Sequence, residues 1–123
     1  MSTKKNPPGE GEARGGGDRL YMQFDPVFFE KTRLSMMTLI HQEGTVSFNR
    51  FKLLLDGTDG AIYGHIQKLL KAGYIRQKKE IAGDKAQTVY SLTGSGARLF
   101  RDYLGFLEQM LRKDREKSSD ADR

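Results

Sequence analysis

The residues best equipped for chemistry lie between positions 60 and 79, where Lys68, Lys71, Arg76, Lys78 and Lys79 stand without one acid among them. Tyr63, His65, Gln67 and Gln77 add hydrogen-bonding groups to the same stretch. Fixed positive charge interleaved with neutral donors suits a polyanion. The cations neutralise phosphates and release counterions, while a Gln amide can pair with adenine. Other chemistries lack their parts. The chain has no cysteine, which removes disulfides, thiolate metal sites, iron–sulfur clusters and thiol nucleophiles together. His65 has only His41 as a companion and no carboxylate cluster beside it, so no metal site is expected. There is no Ser/His/Asp spacing, no pair of carboxylates on one apolar face and no phosphate-cradling glycine loop after a strand; GEGEARGGG lies in low-complexity sequence. The expectation is a protein that is not an enzyme and holds no cofactor.

Length and charge fit that reading. A chain of 123 residues, 37% hydrophobic and 30% charged, suits one small domain, and its net charge of +5 favours an anionic partner. No apolar run approaches the roughly 18–20 residues that cross a bilayer. No apolar stretch follows Lys4 and Lys5, so a secretory leader is not expected either. A cysteine-free composition suits the reducing cytoplasm. Residues 1–18 hold five glycines and two of the three prolines; they cannot bury enough surface to offset ordering, and a disordered tail is expected. Residues 114–123 read as a second, polar tail, which leaves a folded unit at 19–111.

The elements that must position the basic stretch are signalled locally. Asp25 as N-cap and Pro26 at the first helical position predict a helix that carries Phe29, Met36 and Ile40 on one stripe and stops at Gly44. Thr45-Val46 is a short extended piece. Ser47 caps a second helix whose inward face is Phe48, Phe51 and Leu55. After the turn at residues 56–60, Thr58 or Asp59 starts a third helix, with Ile62, Ile66, Leu69 and Leu70 inward, and Gly73 ends it. Tyr74–Lys79 and Thr88–Leu92 then read as strands around AGDK, a hairpin with a long basic tip. Thr93 caps a strongly amphipathic final helix, about 94–113. The order is helix, short strand, helix, helix, hairpin, helix: an α+β arrangement, mainly α.

On the third helix, steps of about 100° per residue put Gly60, Gly64, Gln67, Lys68 and Lys71 opposite the apolar face, with Ala61, Tyr63 and His65 at the flanks. Small residues lead and cations follow, which fits a helix entering a major groove with donors behind a slim end. A solvated surface helix with tolerated glycines is the plainer alternative. Tyr63 suits a phosphate or thymine-methyl contact, or packs on the preceding turn. His65 suits a base or phosphate contact, or packs against the second helix. Gln67 suits adenine, or is simply solvated. In the hairpin, Gln77, Lys78, Lys79 and Lys85 suit phosphates beside a minor groove, or protect an edge strand from aggregation. Arg50 and Lys52 suit a backbone clamp or a solvated face.

Three stretches, DPVFFEKTRLSMMTLI, SFNRFKLLLDGTDGAIYGHIQKLLKAGYI and TVYSLTGSGARLF, carry a resemblance over residues 25–111. The run T-D-G, then L-x-x-A-G-Y-I, a basic hairpin and Y-x-L-T-x-x-G resembles the small MarR/ArsR-like winged helix-turn-helix regulators of prokaryotes. The resemblance implies a homodimer that binds a pseudo-palindromic operator in double-stranded DNA and tunes transcription. Two departures stand out. Relatives often carry polar or basic residues at the positions of Ala61 and Gly64, both small here, and often a proline where this chain has Gly94.

The final helix carries Leu99, Tyr103, Phe106 and Met110 on one stripe and Phe100, Leu104, Leu107 and Leu111 on another. That apolar arc spans roughly 160°, wider than the ~100° a surface helix needs. Leu20, Tyr21, Phe24, Val27 and Phe28, with Met22, add further apolar surface near the N-terminus. Dimerisation through Leu20–Phe28 and the final helix, Phe100, Leu104, Leu107 and Leu111 above all, is the simplest cover for both. A pocket lined by the aromatics is the alternative; no residue assigns an effector ligand. A winged-helix module that binds protein rather than specific DNA is the competing function.

Overall fold

Side-chain caps fix where the helices start, and the computed structural model, which describes residues 21–121, shows each one. The elements run α1 (Lys31–Glu43), β1 (Val46–Ser47), α2 (Phe48–Leu54), α3 (Asp59–Ala72), β2 (Ile75–Ala82), β3 (Lys85–Leu92) and α4 (Gly94–Ala121). Ser47 Oγ accepts from the Arg50 amide to open α2, and Thr58 Oγ1 accepts from the Ala61 amide to open α3. Gly73 closes α3 in the left-handed conformation (φ 84°), where its amide bonds Leu70 and the Tyr74 amide bonds Leu69. This is the winged helix order expected.

The start of α1 is a correction. The helix begins at Lys31, not at Pro26, and its N-cap is Glu30, whose carboxylate accepts from the Arg33 amide at 2.9 Å. Asp25 folds a turn instead: its Oδ1 accepts from the Val27 amide, and its carbonyl accepts from the amides of Phe28 and Phe29. That turn drives Phe24 and Phe28 into the core. The other carboxylate oxygen accepts the Tyr74 hydroxyl at 2.6 Å, a bond between residues far apart in sequence. An aspartate before proline starts a helix or an Asx turn equally well, and this tertiary partner decides between them.

The sheet is antiparallel in the order β1-β3-β2. β2 and β3 pair without interruption from Ile75↔Leu92 to Ala82↔Lys85. The expected long basic tip is therefore a two-residue connection, Gly83-Asp84, with Gly83 at φ 69°. Backbone pairing continues past the apolar residues because a short turn of this kind matches the twist of its strands. Thr93 joins the hairpin to α4: its hydroxyl donates to the Gly73 carbonyl at 2.6 Å and accepts from the Gly96 amide at 3.0 Å, while its own amide reaches the Tyr74 carbonyl. Gly96 lies against that carbonyl so closely that a Cβ there would sit 2.0 Å from it.

α4 also runs further than expected. The polar tail placed at 114–123 is helical as far as Ala121. Lys, Arg and Glu are good helix formers, and Arg112 pairs with Glu108 one turn earlier at 3.5 Å. No helix among the described residues is long and apolar enough to cross a membrane.

The core gathers Met36, Met37 and Ile40 of α1, Phe51 of α2, and Ile62, Ile66 and Leu69 of α3. Val46, Ile75 and Tyr90 of the sheet join them, as do Phe24, Phe28 and Phe100, each at most 6% exposed. These three phenylalanine rings, expected at a dimer interface, are covered by their own chain. Phe28 stands edge-on to Phe100 and Tyr103, and Phe24 edge-on to Tyr103 and Phe106. Tyr21 stacks on Phe29 at 4.8 Å and meets Phe106, so it too packs largely within the domain. Val27 is half-buried, as is Leu107, whereas Leu104 and Leu111 are exposed. Leu20 and the glycine-rich segment at 1–18 lie outside the described residues.

Candidate nucleic-acid interface

α3 is held by a narrow buried stripe. Ile62, Ile66 and Leu69 are at most 1% exposed and Leu70 is half-buried. This fixes the rotation of the helix and turns Gly60, Ala61, Gln67, Lys68 and Lys71 to the exterior, with Tyr63 more than half exposed. Gly64 sits on the same side, and no atom lies within 4 Å of where its Cβ would stand. The expected outer face therefore exists, slim at its N-terminal end and cationic toward Lys71.

His65 is placed differently from its neighbours. Its ring is turned toward the start of α1, not toward α2, and Nδ1 lies 2.8 Å from Nη1 of Arg33 and 3.8 Å from Glu30 Oε1. Arg33, 7% exposed, also donates from Nε to the Val27 carbonyl. Burial pushes the Glu30 carboxyl upward. The Arg33 amide, the Arg33 charge and the Thr32 amide outweigh it and hold the group below the usual carboxylate range. Neither Arg33 nor Glu30 was legible as part of the site, since both read as ordinary polar positions beside the α1 stripe. The only pointer was a basic side chain three residues before Met36, on the helix's apolar side.

In the hairpin, cross-strand partners share a face. Gln77 stands opposite Tyr90 and Lys79 opposite Thr88, whereas Arg76 and Lys78 stand opposite Ser91 and Val89. Tyr90 packs near Phe51 and, with Tyr63, lines a cleft between the start of α2, α3 and β3. Gln77 and Lys79 thus belong to the face turned toward α3, and Arg76 and Lys78 to the opposite one. Cations on both faces of a thin ribbon can reach phosphates on both sides of a groove. Lys85 stands next to the tip. All of Gln77, Lys78, Lys79 and Lys85 are exposed. Burial raises the Tyr90 hydroxyl above its ordinary value, and Tyr63 beside it adds to the effect.

The two cations of α2 are already engaged. Arg50 makes a two-pronged contact with Glu43, at 2.7 and 3.1 Å, and Lys52 pairs with Asp59 at 3.2 Å. Exposed pairs of this kind exchange readily. Among the described residues no group of three or more His, Asp or Glu side chains is placed to hold a metal ion. His41 rests on the Phe100 ring, 4.7 Å between centroids.

Comparison with known proteins agrees with this geometry. An uncharacterized protein of Methanocaldococcus jannaschii is 27% identical over 78 residues, covering 63% of this chain and 85% of that one. The structure of a transcriptional regulator homologue from Pyrococcus horikoshii shares the fold with a TM-score of 0.63 at 22% identity, over 72% of this chain and 88% of the other. A MarR family structure from Enterococcus faecalis gives 0.62 at 23% identity, over 76% and 84%. The sequence profile of the winged helix DNA-binding domain matches residues 32–111, the whole span from α1 through the wing into α4. An outer face on α3 that is acid-free after Asp59, a wing with cations on both faces and that match have one conclusion: the chain belongs to the winged helix DNA-binding domain family.

Proposed function

We propose that the protein is a sequence-specific transcriptional regulator that binds a pseudo-palindromic operator in double-stranded DNA as a homodimer in the cytoplasm. The observation that carries the reading is the exterior of α3 from Gly60 to Lys71, acid-free after Asp59, together with the exposed Lys78, Lys79 and Lys85 of the wing. Gly60, Ala61 and Gly64 bring the helix backbone close to the groove floor, Tyr63 and Gln67 face bases or phosphates, and Lys68 and Lys71 hold the phosphate backbone. The similar structures from Pyrococcus and Enterococcus, a transcriptional regulator homologue and a MarR family protein, support the same role. Dimerisation rests on α4, where Leu104, Met110 and Leu111 stay exposed beside half-buried Leu107. Leu104 and Leu107 border an apolar groove floored by Leu34, Leu39 and Leu55.

Selection of bound DNA from a random pool tests the reading. A palindromic consensus is expected, with log affinity falling by about 0.9 per phosphate contact for each unit of log salt. Lys71→Ala should weaken all sequences alike and lower that slope by about one per contact. A pool without consensus, together with a flat salt dependence, would point instead to a module that binds protein.

A further inference from the structure

We infer that Arg33 fixes His65 of α3 as a neutral ring protonated on Nε2, so that this residue meets DNA solely as a hydrogen-bond donor; the inference rests on α3 being the DNA-facing helix. A guanidinium has only donors and does not lose its charge in proteins. The 2.8 Å contact between Arg33 Nη1 and His65 Nδ1 therefore exists only while Nδ1 carries a lone pair. In a neutral imidazole the proton then resides on Nε2.

Glu30 is the competitor, since its Oε1 would draw a proton onto Nδ1. That oxygen is 3.8 Å from Nδ1 and already accepts from the Arg33 amide at 2.9 Å, so the arginine holds the nearer position. Arg33 is itself anchored, with Nε on the Val27 carbonyl and its side chain buried. The His65 side chain is 26% exposed, and among the described residues no group hydrogen-bonds Nε2. A donor of this kind matches an acceptor, either a phosphate oxygen or a base acceptor (guanine O6 or N7, adenine N7, thymine O4), and rejects the amino groups of adenine and cytosine. Arg33 acts as a positioning residue and touches no DNA itself.

Long-range nitrogen–proton NMR on the full chain without DNA tests the first half, with His41 as the internal comparison. Wild type should show a protonated Nε2 and a bare Nδ1 at His65, and Arg33→Met, which keeps an apolar stem, should let the ring sample both tautomers. A proton on Nδ1 in the wild type overturns the inference. DNA titrations with wild type, Arg33→Met and His65→Gln test the second half. If the acceptor is a base atom, both variants lose about tenfold in preference at one position of each half-site. If it is a phosphate, both weaken every sequence alike without changing the salt slope, because a neutral donor releases no counterion. Folded variants with wild-type affinity and preference overturn it. Wild type that binds no DNA at all would sink the reading of α3, a failure separable from this one because the NMR result does not depend on DNA.

Discussion

α3 and α4 are both amphipathic helices opened by a threonine, yet they meet the rest of the molecule in opposite ways. α3 buries three aliphatic side chains in a stripe that its own domain covers fully, and beyond Asp59 everything it leaves outside is small, polar or cationic. α4 buries Phe100 and sets Tyr103 and Phe106 into an aromatic cluster with Tyr21, Phe24 and Phe28, then continues outward with Leu104, Met110 and Leu111 exposed. A helix whose apolar face is satisfied offers its charge to a ligand. A helix with apolar surface to spare offers it to another protein surface. Thr93 and Gly96 join the two, since they bind the end of α3 and the Tyr74 carbonyl to the first turn of α4.

The sharpest way to break the α3 side is Gly64→Glu. Open space at the Cβ and the better helix propensity of glutamate should leave the melting temperature unchanged or slightly raised. A carboxylate facing phosphates should cost about 100-fold or more in operator affinity. Unaltered binding in a titration would mean the reading face is elsewhere; loss of the fold would mean Gly64 is a packing glycine. The junction is next. Gly96→Ala should destabilise the protein by roughly 2–4 kcal/mol, because the clash is with backbone and cannot relax through a rotamer. A denaturation midpoint equal to wild type would show that α4 sits further from Tyr74.

On the α4 side, Leu104→Glu combined with Leu111→Glu should leave the monomer folded, as both side chains are exposed, while shifting sedimentation from dimer to monomer. A persistent dimer would move the interface to another surface. The smallest effect is expected at Tyr74→Phe, about 1 kcal/mol from the lost bond to Asp25. Burial, then the hydrogen bond and charge of Asp25, push the Tyr74 hydroxyl up to about 12. A raised value in the folded state means this contribution is complete below about pH 10, the unfolded phenol's range, and fades as pH rises from there to about 12. Tyrosinate absorbance followed alongside melting should show one fewer late-titrating phenol in the variant than in wild type.

The sequence by itself determined the elements and the polarity of their faces. Caps at Ser47, Thr58, Thr93 and Gly73 act between residues no more than five apart, and the inward stripe of α3 follows from helical period alone, so the winged helix order and the basic outer face were both legible. What covers each apolar face was not. A helical wheel gives the width of the α4 arc but not whose side chains meet it, and Phe24, Phe28 and Phe100 went to the chain's own core because the Asp25 turn folds the N-terminal aromatics back onto α4. The start of α1 turned on Tyr74, and the orientation of His65 on Arg33; each is a contact across more than thirty residues. Local hydrogen bonds are set by sequence neighbours, whereas burial and side-chain pairing are set by whichever elements the whole fold brings into reach, and only the tertiary structure decides that.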